Sequence, residues 1–313
     1  MNINTAIADR ARANEALTAA ELDELATADI LSLGMLADEV RRARVGDVVT
    51  FVRVVEIQGP PSRPQAASAR SHHSSPEDER AKADAKGANS ANGATGAEVR
   101  ITQTSVTLPE TVDVIARAKA TAGTSMLTGF SLADIIERGW GDLTDVLRQL
   151  KAAGLAAIVE APLDLLSKPE AALQACQDAG LQVQCLSLQK PNAAGRTAML
   201  MQARALAARF PWLTTIAPLS REQSVAVPTT GYDDVRAVAL ARLALPGLPN
   251  VQVDWAQYGP KLAQVALTFG ANDLDRVSVT DDETLGRRRT SLEDVTRNIA
   301  AAGFQPRERS TPA

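Results

Sequence analysis

From residue 98 to residue 303 the chain alternates short apolar runs with stretches of helical periodicity, and no other feature limits its fold as strongly. The apolar runs are Glu98–Thr102, Thr124–Thr128, Leu155–Glu160, Leu181–Leu188, Leu213–Pro218 and Val251–Trp255. Among them lie segments with apolar residues three and four apart, at 110–121, 131–138, 142–153, 168–179, 195–209, 231–245 and 259–269. A last one, 291–302, stops at Gly303. The clearest is Asp142–Ala153, where Leu143, Val146, Leu147 and Leu150 form one stripe and Gly154 supplies the stop. Ser131-Leu-Ala-Asp134 and Ser291-Leu-Glu-Asp294 have the form of capping boxes. Strands joined through helices of this length run parallel, so the pattern predicts an α/β fold with a parallel sheet. With a further run at 48–57 the count reaches about seven strands. No Gly-x-Gly-x-x-Gly turn follows any of them, so a doubly wound dinucleotide fold lacks its phosphate turn. The spacing predicts a partial or distorted TIM-like β/α barrel, whose chemistry would sit at the C-terminal ends of its strands.

Upstream, residues 1–46 read as a helical lead-in. Thr18-Ala-Ala-Glu21 and Thr27-Ala-Asp-Ile30 are possible helix starts. Ile30, Leu33, Leu36 and Val40 then fall at helical spacing before Gly46. Residues 47–58 are the first barrel strand. It ends at Gly59-Pro60-Pro61, and residues 59–97 contain no Val, Ile, Leu, Met, Phe, Tyr, Trp or Cys. Such a stretch buries too little apolar surface to offset its ordering entropy and is expected to be a disordered linker. Residues 98–305 carry the remaining barrel and a C-terminal helix, and 306–313 form a tail. The net charge of −4 argues against a nucleic-acid surface. No apolar run approaches the roughly 20 residues of a membrane span. The N-terminus is polar and acidic, unlike a secretory leader. Two cysteines make no disulfide framework. The expectation is a cytoplasmic protein with no nucleic-acid or membrane partner.

Reactive motifs are scarce. His72 and His73 fall in the linker and read as a solvated pair, and no Cys-x-x-Cys, P-loop, Gly-x-Ser-x-Gly or His-Glu-x-x-His occurs. Cys176 and Cys185 read as small buried hydrophobes. Two polar clusters stand at strand ends. In Ile158-Val-Glu-Ala-Pro-Leu-Asp164, Glu160 and Asp164 either face a barrel mouth or serve as a loop carboxylate and a cap. In the second, Asp254 and Trp255 end a strand, Lys261 and Gln264 lie in the first turns of a helix, and Asn272, Asp273 and Asp275 follow that helix past Gly270. The candidate substrate-binding set is therefore Asp164, Asp254, Trp255, Lys261, Gln264, Asn272, Asp273 and Asp275. No residue stands out as catalytic or metal-ligating.

At the second cluster the sequence resembles a known family. Thr230-Gly-Tyr-Asp-Asp-Val-Arg, Pro249-Asn-Val-Gln-Val-Asp-Trp255 and Lys261–Asp275, above all Gly270-Ala-Asn-Asp-Leu-Asp275, are similar to aminofutalosine synthase, dehypoxanthine-futalosine cyclase and the second half of the deazaflavin FO synthase. Asp29–Arg42, Gly46–Arg53, Gly129-Phe-Ser131 and Leu147–Leu155 extend the likeness over most of the chain outside 55–97. These are radical S-adenosylmethionine enzymes of menaquinone and deazaflavin biosynthesis, so the resemblance implies a barrel of that type. It also implies a Cys-x-x-x-Cys-x-x-Cys loop after the first strand, whose thiolates hold a 4Fe–4S cluster. This chain has only Cys176 and Cys185, far from that position. The family's glycine turns are replaced as well, by Thr102–Pro109, Val159–Asp164 and Gln189-Lys-Pro191, and Arg276 stands where a glycine is expected. The resemblance therefore implies a catalytically degenerate paralogue without cluster or S-adenosylmethionine. Such a protein would be a partner or regulator of an active homologous radical enzyme, or a binder of its small-molecule substrate. The alternative is an enzyme of another type that reuses the barrel mouth.

Overall fold

A computed structural model of the chain describes residues 3–58, 97–189, 195–219, 230–279 and 291–310. Three helices lead in: α1 (Thr5–Arg12), α2 (Ala19–Ala26) and α3 (Ile30–Val45). Thr18 closes a full capping box with Glu21 at the start of α2. Helix α3 is capped by Asp29, whose side chain accepts from the Ser32 N–H, rather than by Thr27. The barrel follows as β1 (Val48–Ile57), β2 (Glu98–Ile101), α4 (Leu108–Ala122), β3 (Leu127–Ser131), α5 (Leu132–Arg138), α6 (Leu143–Ala152), β4 (Ala157–Pro162), α7 (Pro169–Ala179), β5 (Gln182–Ser187), α8 (Arg196–Arg209), β6 (Thr215–Ala217), α9 (Gly231–Ala244), β7 (Asn250–Asp254), α10 (Trp255–Leu267), β8 (Asp273–Ser278), α11 (Ser291–Ala301) and β9 (Gln305–Glu308). Gly259 at φ 71° and Pro260 divide α10 into two short helices. Ser131 caps α5 without a side-chain hydrogen bond, so the box read there from sequence does not form.

The ring is closed rather than partial. Strands β1 to β8 pair in order, all parallel, and β1 pairs with both β2 and β8. Two strands escaped the sequence reading. Strand β8 was hidden because its alternate residues Asp273 and Asp275 point into a polar lumen, so the segment read as a turn. Strand β9 joins outside the ring. Residues Thr50 and Phe51 pair with β8 and also with β9, which puts those two on opposite edges of β1. Val54 pairs with β8 and β2 in the same way. Strands β9 and β2 therefore share one edge, β9 along the first half of β1 and β2 along the second, and β9 brings Pro306–Glu308 of the C-terminal segment into the sheet. Of the residues expected as a linker, only Ala97 is described, and it is buried. The rest, with His72 and His73, lie outside the described residues.

The core is built mainly of Leu, Val, Ile and Ala, as the low aromatic content requires. It runs without a break from the lead-in helices into the helical layer. Gly34 on α3 marks the tightest join: a Cβ there would lie 2.6 Å from Cε1 of Phe269. Gly34→Val is expected to destabilise the fold by roughly 1–3 kcal/mol through overpacking, read as a lower urea midpoint with an unchanged slope.

Candidate functional site

The lumen of the barrel is charged. Arg100 on β2 donates to both oxygens of Asp275 on β8, each at 2.9 Å, and to Glu98 Oε1 at 2.9 and 2.6 Å. Glu98 also accepts from Thr128 Oγ1 on β3 at 2.6 Å and from Gln184 Nε2 on β5 at 2.8 Å. Strands β2 and β5 are three places apart in the ring, so that last contact crosses the lumen. Lower down, Asp273 accepts from Thr50 Oγ1 at 2.6 Å and from Gln252 Nε2 at 2.7 Å. It also accepts from Arg309 Nε and Nη2, at 2.8 and 2.9 Å. Burial by itself would lower the pKa of Arg100, but Asp275 and then Glu98 hold it well above the usual arginine value. Buried charges of this kind are tolerable only when each is met by an opposite charge and its donors are used.

At the C-terminal ends of the strands the arrangement changes. Three steps along β8, from Leu274 to Val277, oppose two along β1, from Phe51 to Arg53. The extra residue is Arg276, in the left-handed region at φ 57°. This is a conformation that glycine adopts without strain, at the position where the sequence resemblance calls for glycine. The Arg276 side chain donates to Asp254 Oδ2 at 2.9 Å and to Glu56 Oε1 at 2.8 Å, and so lies across the mouth between β7 and β1. Burial opposes its charge, and Asp254 and Glu56 more than restore it, raising its pKa. Asp254 also caps α10 by accepting from the Gln257 N–H.

The remaining candidates separate. Asp164 accepts from the Gln189 N–H at 2.9 Å, and Glu160 from Gln189 Nε2 at 2.6 Å, tying the ends of β4 and β5 together. Trp255 is half-buried against the core, Gln264 is half-buried on α10, and Lys261 is exposed. Asn272 sits at the base, at the start of β8. Its Oδ1 accepts from Arg242 Nη2 at 2.6 Å and from the Val251 N–H at 2.9 Å. The candidate set thus divides between mouth, lumen, base and outer surface. Sequence reasoning missed Glu56, Glu98, Arg100, Gln184, Gln252 and Arg309. The available signal was the charge at alternate positions in Glu98-Val-Arg-Ile101 and Asp273-Leu-Asp275, a period-2 pattern with its polar face turned inward.

A further residue at the mouth was not foreseen. Helix α8 starts on the side of the strand C-termini, and its first residue, Arg196, is 8% exposed. Gly195 gives this helix no side-chain cap. Arg196 Nε is buried without an acceptor, and the side chain makes no hydrogen bond to any described residue. Burial depresses its pKa. Asp233 opposes that effect, Arg236 adds to it and Asp234 opposes it, so the guanidinium faces the first turns of α9.

The thiol inventory does not fit the cluster that the sequence resemblance implies. Cys176 is buried in α7, where burial pushes its thiol up to about 12, and Cys185 is buried on β5 with Sγ 3.5 Å from the Val159 carbonyl. Neither forms a disulfide, and two cysteines cannot supply three thiolate ligands. Among the described residues, no group of three His, Cys, Asp or Glu side chains is placed to hold a metal.

Residues 204–312 match the family described as CofH/MqnC C-terminal region. The chain is 28% identical over 204 residues to 5-amino-6-(D-ribitylamino)uracil–L-tyrosine 4-hydroxyphenyl transferase of Methanopyrus kandleri, covering 54% of this chain and 55% of that protein. It is 32% identical over 98 residues to aminodeoxyfutalosine synthase of Streptomyces coelicolor, covering 29% and 25%. The chain thus spans from 15% to 55% of the length of curated relatives it matches. The crystal structure of methylornithine synthase (PylB) superposes with a TM-score of 0.67 at 12% identity, over 96% of this chain and 97% of that one, and shares the fold. Among the described residues, no helix is long and apolar enough to cross a membrane.

Arg100→Met is expected to destabilise the protein by roughly 3–5 kcal/mol, because it strands Glu98 and Asp275 in the lumen. Adding Glu98→Gln and Asp275→Asn should recover part of that loss in denaturant melts.

Proposed function

We propose that this chain, a relative of the CofH/MqnC radical S-adenosylmethionine enzymes, has kept their barrel as a small-molecule binding scaffold and given up the radical chemistry. The observation that carries the binding half is Arg196. A side chain nine-tenths buried, whose Nε has no acceptor among the described residues, costs stability. At an uncapped helix start beside the mouth, it suits the carboxylate or phosphate of a bound ligand, whose charge would complete the site. The loss of radical chemistry is supported by the missing thiolates and by Arg276, whose side chain fills space that a glycine would leave to a ligand. Such a protein would bind a substrate or product of the futalosine or deazaflavin type without converting it. In that role it would work beside an active, cluster-bearing homologue that it supplies or restrains.

Two experiments test the two halves separately. After anaerobic reconstitution with iron and sulfide, the protein should hold only substoichiometric iron, show no broad cluster absorbance near ~400 nm, and leave S-adenosylmethionine intact. A stoichiometric cluster with cleavage of S-adenosylmethionine would sink the degenerate reading. If Arg196 is kept for a ligand, Arg196→Met should stabilise the ligand-free protein by about 1–2 kcal/mol, since it removes an uncompensated charge at similar volume. A lower melting temperature in that variant would make Arg196 a structural cation instead.

A further inference from the structure

The end of the barrel opposite the mouth contains a cavity of about 410 Å³. It lies between the end of α3, the turn after α1 and the loop from α9 to β7. Its wall includes Arg12, Asn14, Val40, Arg44, Pro246 and Pro249. Of its two arginines, Arg12 is paired with carboxylates at the surface and Arg44 is not.

Arg44 Nη1 donates to the carbonyls of Arg242 and Leu245, at 3.0 and 3.4 Å, where α9 ends. This is the familiar service of a cation at a helix C-terminus. It uses one nitrogen. Nε and Nη2 are buried with no acceptor. No carboxylate acts on the group, and burial alone depresses its pKa to about 10. Behind it, Arg242 is fully buried and spends its donors on the Gly270 and Pro249 carbonyls and on Asn272 Oδ1, again without a carboxylate. Burial first, and then Arg44 and Arg41, push Arg242 down to about 9. Arg41 has Nη1 and Nη2 without hydrogen bonds, and its acidic neighbours are Asp38 and Asp47. Three guanidiniums thus repel one another through a poorly solvated base.

Arg12 reaches the same cavity from α1. Its Nε and Nη1 are held by Glu39 and Asp9, at 3.0 and 3.1 Å. Arg12 and those two carboxylates are all exposed, at 45%, 54% and 65%, so water screens the pairs and holds the Arg12 head only loosely in place. The lining also includes Val40, one turn before Arg44 on the same face of α3, and Pro246 and Pro249 on the loop from α9 to β7. The depression therefore combines cationic donors with apolar surface, the usual character of a small-molecule site.

We infer that this basal cavity binds a small carboxylate with an apolar body, its oxyanion between Arg12 and Arg44 and its carbon skeleton on Val40, Pro246 and Pro249. The site is distinct from the mouth and does not depend on what the mouth binds. A short swing of the Arg44 head toward the cavity gives its two idle nitrogens an acceptor, and the anion relieves the repulsion on Arg242 behind it.

The test is a titration of the full chain with benzoate at constant ionic strength, followed by calorimetry or by amide chemical shifts. Wild-type protein should show saturable binding. Arg12→Ala should weaken it about tenfold, the value of one charge-assisted hydrogen bond. That variant should melt close to wild type, because the ion pairs it breaks are exposed. Arg44→Gln should abolish binding; should that variant fold poorly, Arg12→Ala decides alone. The same titrations in the Arg196→Met background remove any benzoate held at the mouth, so the binding that remains reports the basal cavity, and Arg12→Ala should weaken it by the same factor. Equal binding in wild type and Arg12→Ala would overturn the proposal. So would an equal response to inorganic phosphate or chloride, which would mean charge screening without a carboxylate site.

Discussion

The fold depends on the contact of Arg100 with Glu98 and Asp275. These groups sit in the lumen of a closed ring, where hydrocarbon would ordinarily fill the layers between strands. Strand β1 lies between β2 and β8, so the bidentate contact from Arg100 to Asp275 bridges over it from one neighbour to the other. The Gln184 contact then reaches β5 across the ring. The bonds from Arg100 to Asp275 and from Gln184 to Glu98 are satisfied only when the ring is complete. An open or partial barrel would leave at least one of these charges facing water on one side and a lost partner on the other. Closure and charge pairing are the same event, which makes the lumen a specificity device as much as a source of stability.

The C-terminal segment is bound into the same logic. Strand β9 covers the edge of β1 that β2 leaves open, and immediately after it Arg309 turns into the lumen to chelate Asp273. Phe304, just before the strand, is covered by the guanidinium of Arg41 at 3.9 Å and approached by that of Arg42 at 4.4 Å. The chain therefore finishes by sealing the seam where it began, with one aromatic anchor outside and one arginine inside. Asp273 would otherwise be a buried carboxylate supported only by Thr50 and Gln252.

How far the sequence revealed this can be seen in particular residues. The stripe Leu143, Val146, Leu147, Leu150 and the stop at Gly154 placed α6 almost to the residue, because helix burial is written as one apolar face. The strands from β1 to β7 were found because their outward faces pack under helices and read as Val, Ile and Leu. Strand β8 was lost for the opposite reason: in Asp273-Leu-Asp275 the inward face is acidic, and composition alone cannot tell a charged lumen from a solvated turn. The mouth and lumen partners had the same fault. Glu98 and Arg100 were counted as part of a strand, but nothing local reveals that Asp275, 175 positions away from Arg100, completes the pair. Arg276 was legible as an arginine in place of a glycine. Its left-handed backbone and its grip on Asp254 and Glu56 needed the fold to be seen.

The arginines sort themselves by what they face. Arg100 is buried and Arg276 and Arg309 are half-buried against carboxylates, and in each case the partner charge more than offsets desolvation. For buried Arg196 and Arg242 and half-buried Arg44, desolvation dominates. Desolvating a guanidinium is unfavourable wherever it occurs, so the first group needs no explanation beyond the fold and the second does. Arg242 finds a partial one in backbone carbonyls and Asn272, which fix the turn into β8. Arg196 and Arg44 keep nitrogens with no acceptor, and they lie at opposite ends of the barrel, each beside a place where a ligand's anionic group would fit. Under the two proposals above, bound anions would supply the missing half of the charge balance.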